Sequence, residues 1–152
     1  MTPEERLNAR GLELPIPPTP VANYVPAVRC GNLIFLSGHG PNQPNGRQWR
    51  GKVGQEFDLE EAKGAAQACV LNLLASLRTQ IGELSRVRRI VKLLGMVNCT
   101  PDFASQPQVI NGASDLLVDL FGDRGRHARS AVGMAALPGN IPVEIEMIVE
   151  VE

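Results

Sequence analysis

An α+β domain is the fold class this sequence predicts, and three patterns carry it. Residues 62–81 and 109–121 each repeat apolar side chains at helical spacing, giving two single-sided stripes. Residues 143–152 alternate apolar and mostly acidic side chains with a period of two, the pattern of a half-buried strand. Two short apolar runs, VANYVPAVRC and LIFLSG, meet at Gly31-Asn32, the chemistry of a two-residue hairpin turn. A chain of 152 residues suits one domain with a real core.

Each element follows in order. Residues 1–20 open with a short polar helix, Pro3 to Arg10, stopped by Gly11, and end in the run LPIPPTP, whose prolines favour extended backbone. This piece reads as an arm laid on a single domain of residues 21–152. The hairpin begins at Val21. The stretch GHGPNQPNGRQWRGKVG holds five of the fifteen glycines and reads as a long loop with an optional short strand near Trp49. Asp58 and Glu61 have capping-box spacing at the head of the first long helix, and Gly82 suits its end. Val87–Thr100 reads as a strand rich in β-branched residues at its start. Ser105 and Gln108 repeat the capping-box spacing before the second stripe, which Gly122 stops. Ser130–Leu137 and Val143–Glu152 close the chain as strands around a PGN turn. The order is β-β-(β)-α-β-α-β-β, a mixed sheet with two helices on one face. The other face keeps Leu33, Phe35 and Ile148, which predicts burial between subunits of an oligomer.

Composition excludes several classes. A net charge of -1 and a pI of about 6.1 give no field to attract nucleic acid or an anionic membrane. Aromatics at 4% argue against a base-stacking platform. Cys30, Cys69 and Cys99 are too scattered for a CxxC pair and read as reduced thiols. With His39 and His127 as the only histidines, no ligand spacing for a metal is present, and no cofactor is expected. The charged N-terminus and the lack of a long apolar run predict a soluble, cytoplasmic protein.

Two blocks carry a resemblance. Arg129-Ser130-Ala131-Val132, Leu137-Pro138 and Val143-Glu144-Ile145-Glu146 form one; Tyr24 with the run Cys30 to Gly38 forms the other. Together with the element order they are similar to the RidA/YjgF family, also called L-PSP or reactive-intermediate deaminases, over residues 21–152. The longer arm and the loop at 39–55 resemble a divergent branch. The resemblance implies a chorismate-mutase-like two-layer subunit, a homotrimer with clefts between subunits, and hydrolysis of enamine or imine acids such as 2-aminoacrylate to a 2-keto acid and ammonia.

It also implies roles for residues. Arg129 would hold the substrate carboxylate, since a guanidinium fork suits two parallel charge-assisted hydrogen bonds; read without the resemblance, it is more readily a structural partner of Glu144 or Glu146. Glu144 would orient or activate water, against the alternative of a solvated acidic strand. Tyr24 would line the cleft, Ser37 and Gly38 its floor, and Asn111 would contribute from the second helix. Where many members carry cysteine, two positions after the arginine, this chain has Ala131; its backbone groups still serve binding, but any thiol role is lost. His39 lies just past the strand end, where a loop histidine is usually solvent-exposed, with acid–base work as the alternative. Arg124 and Arg126 read as a solvated loop. Two other functions remain open: a non-catalytic binder of a 2-keto or amino acid, and the ribonuclease or translation-inhibitor activity attached to the family label.

Overall fold

The computed structural model describes residues 1–20 and 22–152; the expected start of the domain and of its first strand, Val21, lies outside them. In chain order the elements are α1 (Pro3–Ala9), β1 (Ala27–Cys30), β2 (Leu33–His39), α2 (Leu59–Ile81), β3 (Val87–Asn98), α3 (Gln106–Phe121), β4 (Ala128–Met134) and β5 (Val143–Val151). The sheet runs β1-β2-β5-β3-β4, and it is mixed, because β3 and β4 are parallel while the other pairs are antiparallel.

Local chemistry sets the helix ends. At α2, the Asp58 side chain accepts from Glu61 N–H at 2.8 Å and Glu61 accepts from Asp58 N–H at 3.3 Å, so two orphan donors are satisfied reciprocally. Thr2 and Glu5 make the same box at α1. At α3 the anticipated box is not made: Ser105 is the cap residue, but its side chain gives no capping hydrogen bond.

Helices α2 and α3 lie side by side on one face of the sheet. Leu73, Leu74 and Leu77 of α2 and Ile110, Leu117 and Leu120 of α3 are buried against Ile34, Leu93, Ile145 and Met147. Each such side chain contributes roughly 1.5–3 kcal/mol on burial. α1 docks on this layer through buried Leu7, and Glu4 Oε1 accepts from Leu84 N–H at 2.7 Å. Where α2 and α3 meet, Gly112 faces the backbone of Lys63 so closely that a Cβ there would lie 2.2 Å from the Lys63 carbonyl oxygen. Gly112→Ala must therefore push the helices apart. We expect a loss of roughly 2 kcal/mol in urea unfolding, outweighing the ~1 kcal/mol that alanine gains in a helix; an unchanged or higher midpoint would contradict this packing.

The opposite face is open. Its registers pair Phe35 with Ile148, Lys92 with Ile148 and Leu94 with Glu146. Phe35 is 43% exposed, its β1 partner Val28 54% and Val132 38%, so the apolar residues of this face have no cover among the described residues. A recess of about 360 Å³ lies over Val28, Phe35, Leu94 and Ile148.

Several boundaries differ from expectation. The first strand forms only from Ala27, because Pro26 and the bends before it break the ladder. β4 runs from Ala128, so Arg129 sits inside the strand, and it ends at Met134. No strand forms near Trp49. Its indole is buried beneath the Arg47 guanidinium, 3.7 Å from the ring centroid, and sheet pairing there is confined to single bridges from Val53 to Phe57 and Cys99. Lys52 anchors this loop, its ammonium donating to Asn98 Oδ1 at 2.6 Å and to the Ala135 carbonyl.

Candidate active site

The end of β2 carries a bulge that decides which way its side chains point. Leu36 pairs with Met147 and His39 with Ile145, so Ser37 and Gly38 together oppose one residue of β5. Both therefore lie toward the open face, and His39 turns back to the helix face. Gly38 makes room for what lies above it. A Cβ at this position would be 2.5 Å from Glu144 Oε2, so a side chain here would displace the Glu144 carboxyl from its rest on the strand.

That carboxyl borders a cavity of about 460 Å³ lined by Tyr24, Gly38, His39, Asn72 and Glu144. Pro18, Thr19 and Pro20 of the arm form another part of its wall. Burial, and secondarily the charge of Glu146, raise the Glu144 carboxyl above the ordinary carboxylate value of 4.5. Such a group is a better proton acceptor than a solvated glutamate. Tyr24 is half exposed at the mouth. Ser37 is committed elsewhere: its hydroxyl donates to the Val25 carbonyl at 2.7 Å and the residue borders the open-face recess instead.

His39 corrects the expectation of a solvent-exposed loop histidine. It is 5% exposed, with Nδ1 at 2.6 Å from the Ser37 carbonyl and Nε2 at 2.8 Å from Ser76 Oγ. The carbonyl can only accept, so the proton is on Nδ1 and Ser76 donates to Nε2. Burial lowers its pKa, outweighing the opposite effect of the Ser37 carbonyl, which keeps the ring neutral near pH 7. Asn72 donates from Nδ2 to the carbonyls of Gly40 and Asn42, both at 2.9 Å, and thus fastens the start of the loop to α2.

Arg129 stands apart from this cavity. β5 and β4 are separated by β3, and Arg129 pairs with Leu93 on the helix face of the sheet, whereas Glu144 pairs with Met96 on the open face. Nη1 of Arg129 donates to Ser114 Oγ at 3.0 Å and Nη2 to the Pro107 carbonyl at 3.2 Å. No carboxylate pairs with it among the described residues, so the anticipated structural pairing with Glu144 or Glu146 is not formed. It shares a recess of about 280 Å³ with Asn111, Ser114 and His127. Ala131, two residues on, packs half-buried against the core. Arg124 is structural, donating to the Val87 carbonyl at 2.8 Å, and Arg126 is exposed beside Asp123.

One chain thus holds these residues in two separate groups: Tyr24, Gly38 and Glu144 at one place, Arg129 and Asn111 at another. Reading the sequence for single residues passed over Ser114, His127, Asn72 and the arm wall. His127 was nevertheless legible as the i−2 neighbour of Arg129 on one strand face, and Ser114 as one helical turn beyond Asn111. Among the described residues no group of three or more His, Cys, Asp or Glu could hold a metal ion. Nor, among the described residues, is any helix long and apolar enough to cross a membrane.

Comparison with known proteins agrees with this architecture. A sequence model described as "YjgF/chorismate_mutase-like, putative endoribonuclease" matches residues 4–151. Protein TCP17 of Trypanosoma cruzi is 41% identical over 145 residues, 95% of this chain and 91% of that protein. A crystal structure of an Agrobacterium tumefaciens protein of unknown function superposes with a TM-score of 0.92 at 44% identity, covering 99% of this chain and 92% of the other. The 2-iminobutanoate/2-iminopropanoate deaminase of the mite Dermatophagoides farinae is 29% identical over 144 residues, 94% of this chain and 97% of that protein. With the two blocks around Gly38 and Arg129, the mixed five-stranded sheet under two helices and a family match along nearly its whole length, the chain belongs to the RidA/YjgF, chorismate-mutase-like family.

Proposed function

We propose that this protein is a hydrolytic deaminase of small imine and enamine acids, giving a 2-keto acid and ammonia. The active unit is a homotrimer, in which each cleft joins the Tyr24–Gly38–Glu144 half of one copy to the Arg129–Asn111 half of its neighbour. The observation that carries the reading is the Glu144 carboxyl, raised in pKa and set over Gly38 at the edge of a cavity. Three further facts support it: among the described residues Arg129 is free of any carboxylate and the apolar face around Phe35 lacks cover, and a relative bears the name of an iminobutanoate deaminase.

The chemistry follows from these groups. Arg129 holds the substrate carboxylate, placing the adjacent C=N carbon at the cleft. The imine reacts in its N-protonated form: Glu144 takes a proton from water as the new C–O bond forms, and the C=N π pair moves to the iminium nitrogen, leaving a neutral amino group. Glu144 then gives that proton to the amino group; the C–N bond breaks as the hydroxyl closes to C=O and hands its proton back to Glu144, which releases it to solvent as the keto acid and ammonia leave. Tyr24 borders the substrate, and Gly38 gives Glu144 its place. Ala131 offers backbone groups only.

The test is ammonia release from 2-aminoacrylate generated in place by a threonine/serine dehydratase. A rate above that of buffer supports deamination. Saturable binding of a 2-keto acid with no turnover would replace it with a binding or sensing role. A ribonuclease reading has less support, because both histidines are held in separate hydrogen-bonded positions away from any shared site.

A further inference from the structure

We propose that Ser114 and His127 are positioning residues, a hydrogen-bonded chain that fixes the Arg129 guanidinium for a substrate carboxylate. This rests on the carboxylate-anchor role of Arg129 given above and deepens it.

The chain has one possible direction. The Gly125 carbonyl lies 2.6 Å from His127 Nδ1 and can only accept, so Nδ1 carries the proton. The neutral ring then presents a bare lone pair at Nε2, 2.8 Å from Ser114 Oγ, and the serine must donate to it. With its proton committed, Ser114 turns oxygen lone pairs toward Arg129 Nη1, 3.0 Å away. Reversing any link would set two donors or two acceptors against each other. The Pro107 carbonyl holds the other terminal nitrogen at 3.2 Å. The guanidinium is thus fixed at both ends by groups of α3, and of its five N–H donors three remain for a ligand.

The surroundings keep the chain in this state. Burial lowers the His127 pKa, and the Arg129 charge lowers it further against the opposing effect of the Gly125 carbonyl, so the ring is neutral near pH 7. Asp115 and Arg126 also line the recess, yet Asp115 pairs with neither Arg129 nor His127 and Arg126 turns to Asp123. Arginine has several rotatable bonds, and an anchor that must be ordered on binding loses part of its interaction energy to side-chain entropy. A preset anchor does not.

The test uses the full-length protein, calorimetric binding of pyruvate, and steady-state deamination kinetics. Ser114→Ala and His127→Leu should each weaken pyruvate binding roughly ten-fold, the usual effect of a lost hydrogen bond to a charged group. They should raise KM while kcat stays within about two-fold, because the chain acts through ground-state placement of the carboxylate. His127→Gln, whose amide oxygen can take the place of Nε2 as acceptor, should restore most of the affinity. In an Arg129→Lys background, Ser114→Ala should cost little more, as a lysine has no fork for it to set. If Arg129→Ala binds pyruvate as tightly as the wild type, the carboxylate-anchor reading itself fails. If Arg129→Ala loses binding while Ser114→Ala and His127→Leu keep it, or if Ser114→Ala costs as much in the Arg129→Lys background, the positioning chain alone is overturned.

Discussion

Arg129→Ala is expected to lower kcat/KM for a carboxylate-bearing imine by two to three orders of magnitude while leaving the fold intact. The size follows from what the side chain supplies. A desolvated guanidinium–carboxylate pair, once cut on one side, costs about 2–5 kcal/mol, and each 1.4 kcal/mol is a factor of ten. The fold should tolerate the change because Arg129 is only half-buried and balances no acid among the described residues. Ser114 Oγ keeps its bond to His127, so no buried polar atom of that chain is orphaned. Unfolding free energy should therefore move by less than about 1 kcal/mol. Arg129→Lys separates charge from geometry: the positive charge stays but the fork is lost, and we expect activity between alanine and wild type. Ammonia-release kinetics with chemical denaturation of the same preparations checks both halves. An active Arg129→Ala, folded as wild type, would remove the arginine from the site.

What the sequence disclosed and what it hid follow a physical division. The stripe of α2, its Asp58–Glu61 box and the alternation along β5 were legible because each depends on neighbours within a turn or two of the chain. The open apolar face was also legible, since a two-helix layer leaves Phe35 and Ile148 uncovered by counting alone. His39 was not. Its direction is set by one extra residue in β2, and a one-residue slip exchanges the two faces of a strand. The partners of Arg129 were hidden for a different reason. Ser114 is fifteen residues away along the chain and reaches it only because α3 packs beside β4. The resemblance singled out Arg129, Glu144, Tyr24, Gly38 and Asn111 together; within one chain the fold gathers them into two groups. The long loop around Trp49 was legible, but the optional short strand there does not form, because the environment of the indole is set by Arg47 and Phe57 packing around it.

Glu144→Gln is expected to lower kcat by about 10²–10⁴-fold, the range that a positioned acid–base group contributes, and at the same time to stabilise the folded chain at neutral pH. The two effects share one cause. Burial first, and Glu146 second, raise the Glu144 carboxyl above 4.5 in the folded state. The folded chain therefore binds this proton more tightly than the unfolded chain does. Stability from this group is fully present below pH 4.5 and is lost as pH rises through the higher folded-state pKa. At pH 7 the ionised carboxylate carries that cost, which the neutral amide of similar shape removes. The gain of Glu144→Gln should accordingly be seen in denaturation at pH 7 and vanish below pH 4.5. Activity has the opposite requirement, because the base must be ionised, so kcat of the wild type should fall as pH drops through the raised Glu144 pKa. Removing the neighbouring charge by Glu146→Gln takes away the second cause and should move that limb of the profile to lower pH. A Glu144→Gln protein that is inactive yet less stable at pH 7 would mean that the carboxylate is held by partners within the fold, not kept at a cost for its chemistry; the position of Gly38 beneath it argues for the latter, since the strand there gives up a side chain to make room for an acid.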